Sequence, residues 1–454
     1  MTLVHHLQLK LEFPSGLSPG EGSRGNLLTI STDGQGRPVL RGTALAGVLR
    51  AAYSKRHSEL KNGPKVSNWF GSSSSDQEAD HASRLQVSDM VLEAGKGGKL
   101  IRTFNALNRH TGAVLDGGLF SIEALPPGTS GQVVLTLDDP QSTGENLLRE
   151  LVGELESGLQ LGGRAARGIG QVTVTSAEHR AYDISKLEDH AAFLNACWSG
   201  NIKGKKLVGT ISEKRLVVQV VLTVPRGQDL CVGDGEGIDH TVEPQCVVDV
   251  NGNRTWRLPG SSLRGVMRSW VTRLAARDGC KVADNIEQEL KQRELIPRPS
   301  KISSDDIAWG FIPSGDERQD FQQDPSQIQC PVMNLFGSSY TKSRIHISDA
   351  TSKDGIGQSR QHVSIDRISG GANEGFLFSH QALTGKPVFQ FQLSIEEPTE
   401  QEAKWVSSTL RALDMGLLRI GSSKSSGRLA LAKSPSATGQ HANLFNQLQP
   451  MGNQ

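Results

Sequence analysis

Twice along this 454-residue chain a glycine, a hydroxyl and an arginine stand in the same nine-residue frame. Gly42-Thr43-Ala44-Leu45-Ala46-Gly47-Val48-Leu49-Arg50 returns as Gly260-Ser261-Ser262-Leu263-Arg264-Gly265-Val266-Met267-Arg268. In both copies apolar residues fall at i, i+3, i+4 and i+7 (Leu45, Val48, Leu49, Ala52; Leu263, Val266, Met267, Trp270), the stripe of a helix with one buried face. A helix that opens on a glycine and a hydroxyl offers N–H groups and the positive end of its dipole to an anion, and Arg50 or Arg268 stands one turn further in. The anion such a site suits is a phosphate. One such phrase is explained by a capped amphipathic helix; two of them point to a duplicated site.

Further pairs occur in the same order. Trp69-Phe70-Gly71 matches Leu335-Phe336-Gly337, and Ser83-Arg84-Leu85-Gln86-Val87-Ser88-Asp89 matches Ser343-Arg344-Ile345-His346-Ile347-Ser348-Asp349. Arg109-His110-Thr111-Gly112 then matches Arg367-Ile368-Ser369-Gly370. The glycine-rich turn Gly162-Gly163-Arg164-Ala165-Ala166-Arg167-Gly168 matches Gly421-Ser422-Ser423-Lys424-Ser425-Ser426-Gly427-Arg428. The elements that must position these residues read, in each copy, as strand, glycine-rich loop, helix, strand, long excursion, strand, helix, strand. That is the β-α-β-β-α-β order of a ferredoxin-like (RRM-like) fold, so the expected class is α+β with two tandem domains carrying inserted hairpins and loops. The opening strand alternates in copy one (Leu7, Leu9, Leu11, Phe13), as an edge strand does, and is apolar on both faces in copy two (Leu216 to Val224).

The expected boundaries are 1–182 for the first domain, 183–211 for a linker with one short helix, and 212–434 for the second domain. Within the second, residues 280–330 form a charged, Gln-rich insertion. Residues 435–454, rich in Ser, Gln, Asn and Gly, read as a solvated tail. Lys+Arg of 49 against Asp+Glu of 48 means that any nucleic-acid surface is local rather than global. Five cysteines without a C-x-x-C pair argue against a disulfide framework and a zinc ribbon. With no apolar run of about 18 residues and no signal-like N-terminus, no membrane partner and a cytoplasmic location are expected.

Taken together, these motifs resemble the RAMP superfamily of CRISPR backbone subunits. They are Leu258-Pro259-Gly260-Ser261-Ser262-Leu263-Arg264-Gly265 with Arg268, Leu335-Phe336-Gly337, Ser348-Asp349-Ala350, Ile365-Asp366-Arg367 and the closing basic turn. More narrowly the chain is similar to the type III backbone subunit, and two domains in one chain look like a fused pair as in type III-D effectors. The resemblance implies binding to the backbone of a guide CRISPR RNA, pairing with a complementary target RNA, and contact with other type III effector subunits. It implies phosphate-binding roles for Gly42, Thr43, Arg50, Gly163, Arg164, Arg167, Gly260, Ser261, Ser262, Arg264, Arg268, Lys424, Ser425 and Arg428. The excursions after Asp89 and Asp349 correspond to the family's thumb.

The resemblance also implies a loop aspartate that cuts target RNA with a divalent metal, Mg²⁺ or Mn²⁺. Ile238-Asp239 is the best match and the implied metal ligand, with Asp249 or Glu243 as alternatives; copy one sets Asn26 at that place and has Asp33 beyond it. One carboxylate suffices in principle, because the nucleophile is the RNA's own 2′-hydroxyl. His240 and His346 are candidate helpers. Two rival readings are a non-catalytic scaffold of the same complex and a guide-processing ribonuclease. A dinucleotide site at Gly20-x-Gly22-x-x-Gly25 is set aside because the next residues, Asn26-Leu27-Leu28-Thr29-Ile30, are strand-like rather than helical.

Overall fold

The computed structural model describes residues 3–24, 27–57, 66–72, 82–107, 114–140, 142–163, 167–236, 242–280, 282, 330–337, 342–421 and 427–451. In the first copy β1 (Leu3–Phe13) leads into the hairpin β2 (Gly20–Arg24) and β3 (Leu27–Ile30), then β4 (Val39–Leu40) and α1 (Gly42–Arg56). After α2 (Ser67–Phe70) come β5 (Leu85–Val87), β6 (Met90–Glu93), the long hairpin β7 (Leu100–Leu107) and β8 (Val114–Ala124), β9 (Thr129–Asp139), α3 (Gly144–Glu156) and β10 (Thr173–Asp183). β1 lies between β9 and β10, antiparallel to both, and β5 and β6 pair with the far side of β9. This is the ferredoxin-like strand order. The helices cover one face of the sheet, where Leu45 and Leu49 of α1 and Leu147, Leu148 and Leu151 of α3 meet Leu7, Leu9 and Leu11 of β1.

The second copy repeats the plan after a linker of α4 (Leu187–Ser199) and β11 (Lys205–Lys206). Its elements are β12 (Arg215–Thr223), the pair β13 (Gly233–Glu236) and β14 (Val242–Pro244), β15 (Cys246–Val248), β16 (Arg254–Leu258), α5 (Gly260–Arg277) and α6 (Pro331–Phe336). Next come β17 (Ile345–Ile347), β18 (Ala350–Ser352), the hairpin β19 (Ile356–Ile365) and β20 (Ala372–Thr384), β21 (Val388–Glu396), α7 (Glu400–Asp414) and β22 (Ala430–Leu431). Again the first strand is flanked by the third and the last: β12 lies between β21 and β22. The register confirms the duplication residue by residue, for Arg102 faces Ile122 across β7–β8 as Arg360 faces His380 across β19–β20. Among the described residues no helix is long and apolar enough to cross a membrane.

Three sequence-based expectations change. First, β1 is a central strand and not an edge: on its polar face His6 and Gln8 are buried as well. The linker helix α4 covers that face, with Phe193 edge-on to His6 and to Tyr182. His5 lies on the opposite face, in phase with Leu7, where Asp139 at 3.0 Å and His179 at 2.9 Å hold it. Polar residues satisfied by one another read as a wet face in sequence although they lie in a dry one. Second, the tail is folded. β23 (Ser436–Gly439) pairs with β12, and α8 (Asn443–Asn446) anchors the otherwise polar segment through the fully buried Phe445. Third, the glycine-rich turns align Gly170, not Gly168, with Gly427. Leu161 and Ile420 donate their N–H groups to Gly170 and Gly427 at 2.9 and 3.0 Å, and both glycines have φ of +88°. A Cβ at either would strike the same carbonyl, so the turn is two residues shorter in copy two.

The buried histidines make stability fall on acidification. Burial lowers His346 to about 4, and burial with the neighbouring His5 does the same for His179. A histidine whose folded pKa lies below its unfolded value contributes stability that is fully present above about pH 6.5 and declines as pH drops towards 4. Urea unfolding across that window is expected to show the decline, and His346→Gln to make it shallower; an unchanged slope in the variant would assign the dependence elsewhere.

Candidate nucleic-acid interface

In both copies the helix that opens on glycine has its first N–H claimed from inside the fold. Gly42 N–H donates to Asp89 Oδ1 at 2.7 Å, and Gly260 N–H donates to Asp349 Oδ1 at 2.9 Å. The residues before the helices, Arg41 and Pro259, supply no side-chain cap, so a carboxylate just after β5 or β17 caps the helix from a distance. For Asp89, the Gly42 amide and then Arg41 hold the carboxyl below its ordinary range. The glycine is obligatory for a steric reason: a Cβ at Gly42 or Gly260 would lie 2.1 or 2.3 Å from the carbonyl oxygen of Val87 or Ile347. Thr43 is exposed, and Ser261 and Ser262 are half-buried, on the first turn of each helix.

The two copies join at Asp349. Its second oxygen takes Arg102 Nη1 of copy one at 2.5 Å, with Arg257 at 3.6 Å, and its N–H donates to the Gly168 carbonyl at 2.8 Å. Gly168 sits so close that a Cβ there would meet Asp349 Oδ1 at 2.0 Å. Beside it the loop after β15 docks on copy one through Lys96 N–H to Val250 O, 2.9 Å, and Val250 N–H to Pro127 O, 3.1 Å. A second contact crosses the crevice of about 290 Å³ along α1, where Lys55 reaches Glu396 at 2.6 Å and Arg215 reaches Glu154 and Glu396 at 3.5 Å. Burial raises Glu396, but Arg215 and Lys55 outweigh it and draw the carboxyl down to about 2.

This joint carries the glycine-rich turn of copy one to the α5 N-terminus of copy two, and it gathers arginines. Arg264 is drawn down to about 9 by burial, then by Arg268 and by Arg167. Arg167 lies over the Phe120 and Phe104 rings at 4.8 and 5.6 Å. Arg264 is also a structural brace, bonded to Ser343 Oγ at 2.9 Å, to Ile345 O at 3.0 Å and to Phe336 O. In copy one Ala46 stands at that position, and the Phe70 carbonyl is taken by Arg50, the counterpart of Arg268, at 3.4 Å. Exposed Gly163 is tied by its N–H to Ser18 O at 2.8 Å, and Arg428 is half-buried against Gly416. Arg164, Lys424 and Ser425 lie outside the described residues.

The loop acids fall into two places. Asp33 and Asp249 are structural twins that close the same turn. Asp33 accepts the N–H groups of Gln35 and Arg37 at 2.9 and 2.8 Å, and Asp249 those of Asn251 and Asn253 at 2.9 and 2.8 Å. These bonds hold both carboxyls low against the desolvation that raises them. Asp239 lies outside the described residues, as does Asn26, but the strands on either side of each are placed. Glu236 faces Val242 across β13–β14 as Ser23 faces Leu28 across β2–β3. Val242 then pairs beside His380, and Leu28 beside Ile122, in parallel. The described strands before and after these residues are therefore equivalent in the two copies, each alongside a long hairpin. His346 is an interior residue of β17, and His240 lies outside the described residues. Among the described residues no three His, Cys, Asp or Glu side chains gather into a metal cage. Sequence reading missed Arg102; its offset from Arg360, equal to that of Arg109 from Arg367, was the available signal.

A profile of the RAMP superfamily matches residues 11–173 and 229–428, one stretch in each copy. Comparison with curated proteins finds no match.

The two capping aspartates predict unequal costs. Asp349→Ala removes from the interior the acceptor of both Arg102 Nη1 and the Gly260 amide, which costs about 3–5 kcal/mol. Asp89→Ala removes a half-exposed cap and costs about 1 kcal/mol. Urea midpoints measure both, and equal losses would show that the joint does not depend on Asp349.

Proposed function

Because the chain belongs to the RAMP superfamily in both of its copies, we propose that it is a guide-RNA-binding backbone subunit of a type III CRISPR effector, two subunits fused in one chain, that displays and cleaves complementary target RNA. The observation that carries the RNA-binding part is the packing of Gly168, next to Arg167 of copy one, against Gly260 at the start of the copy-two helix that carries Arg264 and Arg268, with Arg167 and Arg268 close enough to lower Arg264. Like charges gathered in a partly buried place repel one another, and an anion set among them relieves that repulsion. A phosphate of the guide is such an anion. Backbone contacts hold any guide whatever its sequence, as a subunit serving many guides must. Arg167 over two aromatic rings adds a flat cationic surface suited to a phosphate or a base.

The cutting part rests on Asp239. The twin carboxylates Asp33 and Asp249 are engaged by their own turns, which favours Asp239 as the acid and leaves copy one, where the sequence aligns Asn26, as the non-cutting half. The RNA supplies its own 2′-hydroxyl, which attacks the adjacent phosphorus while the 5′-oxygen leaves. The chain's task is to hold the strand bent for in-line attack and to keep a carboxylate beside it. A divalent cation, Mg²⁺ or Mn²⁺, belongs to the proposal as a neutraliser of phosphate charge, held by Asp239 and the RNA itself, since the described residues form no cage of their own. The alternative is a scaffold that displays RNA without cutting it.

Two experiments test this. Arg167→Ala with Arg268→Ala is expected to weaken association with unrelated RNA sequences alike and to reduce the slope of log affinity against log salt by about 1–2, one for each phosphate no longer neutralised. Weakening confined to some sequences would sink the phosphate reading. In the assembled complex with complementary RNA and Mg²⁺, Asp239→Ala should abolish a cleavage product with target affinity nearly unchanged, whereas Asp249→Asn and Asp33→Asn should cut normally. Normal cutting by all three establishes the scaffold.

A further inference from the structure

The linker helix α4 carries two apolar faces, and the sheet uses only one of them. Phe193 and Ala196 turn inwards, Phe193 edge-on to His6 and Tyr182, and Ala196 is buried. Leu187, Ala191, Leu194 and Trp198 recur at i, i+4, i+7 and i+11, the spacing by which a sequence announces a buried stripe. That stripe points the other way. Leu187 is 84%, Leu194 56% and Trp198 93% exposed, and Ala191 is exposed between them. At 3.6 residues per turn the four fall within about 60° of one another, on the side of the helix away from Ala196. A contiguous apolar stripe of this kind, left open to water, marks a contact with another protein.

The stripe itself says what covers it. Its steps of four, three and four residues are those of a coiled-coil seam, and they read the same in either direction. A surface that binds its own copy across a two-fold axis must be complementary to itself. Laid antiparallel on a second α4, Leu187 meets Trp198 of the partner subunit and Ala191 meets Leu194 of the partner subunit, so the smallest residue of the stripe lies opposite a large one. Laid parallel, tryptophan would meet tryptophan and alanine would meet alanine, with bulk at one end and a gap in the middle. Of the flanking residues Glu188, His190, Asn195 and Cys197, only Glu188 is acidic, and the antiparallel register sets it beside Asn195 of the partner subunit and not beside its own twin, so no like charges meet. Two copies together remove on the order of 1,000 Å² from water, the lower bound for a specific contact, which makes the dimer weak and reversible.

We propose that the outer face of α4 is a two-fold docking surface on which a second copy of this chain binds, helix against antiparallel helix. The contact lies across the first sheet from α1 and α3, since those helices cover the leucine face of β1 and α4 covers the face of His6 and Gln8. It uses none of Arg167, Arg264 and Arg268, and it stands independently of the RNA reading.

Sedimentation velocity on the full, RNA-free chain at up to about 100 µM tests this. The unaltered chain is expected to show a monomer–dimer equilibrium with Kd on the order of 10 µM. Leu194→Glu changes an exposed residue and leaves the inner face of α4 untouched, so it is expected to weaken the dimer at least about tenfold with the melting temperature unchanged. Cross-linking reads the register. In the antiparallel pair residue 190 of one chain flanks residue 197 of the other, whereas within one helix the two stand about 10 Å apart, too far to bridge. His190→Cys beside the native Cys197 is therefore expected to give a disulfide-linked dimer that Cys197→Ser or Leu194→Glu abolishes. A chain that stays monomeric throughout overturns the proposal and leaves the stripe to a different protein; a dimer that survives Leu194→Glu, or that His190→Cys does not link, overturns it as well.

Discussion

One carboxylate, that of Asp349, organises the molecule. With 2% of its side chain exposed, its oxygens need partners from the protein itself, and these come from three directions. The α5 N-terminus supplies an amide, copy one supplies Arg102, and Arg257 closes the third side. Because those groups belong to different elements, meeting them fixes the angle between the domains. The same demand explains Gly168, whose bare α-carbon lets a carbonyl approach the Asp349 amide. Arg167, next in the chain, is thereby delivered to Arg264 and Arg268.

Much of this is legible in the sequence because the duplication writes it twice. The stripe Leu45, Leu49 and Ala52, with Leu263 and Met267 in the second copy, reports a buried helix face directly, and those residues are buried, while Val48, Val266 and Trp270 pack at its half-buried margin. The site is legible in its residue types but not in its wiring. Gly42 and Gly260 look like glycines that admit a ligand, yet they admit the backbone of the next strand, and their amides are taken by a carboxylate some 50 to 90 residues away along the chain, 89 from 42 and 349 from 260. Spacing cannot report a partner brought in by the fold.

The departures from the sequence pattern share one cause, which is that polar residues look wet. His6 and Gln8 alternate with leucines like an exposed face, but α4 covers them, and Gln8 donates to the Gly200 carbonyl at the end of that helix. Residues 435–451 lack apolar periodicity, yet Phe445 at 0% exposure and Asn446, bonded twice to Ala437, are enough to seat them on the sheet. A long ferredoxin-like sheet with linker and tail on its flanks has more buried polar surface than its own strands announce.

The asymmetry between the copies arises from where each stands. Both inherited a hairpin arginine, a helix-capping aspartate and a glycine-rich turn, but only one arginine and one aspartate face each other inside the chain. There Asp349 takes Arg102 of copy one beside Arg257 of its own copy. At the outer ends Asp89 pairs with Arg41 and Arg360 with Asp229. A net charge of +1 leaves any basic surface local rather than global. Arg167 of copy one stands near Arg264 and Arg268 of copy two only because the two copies are joined at Gly168 and Gly260.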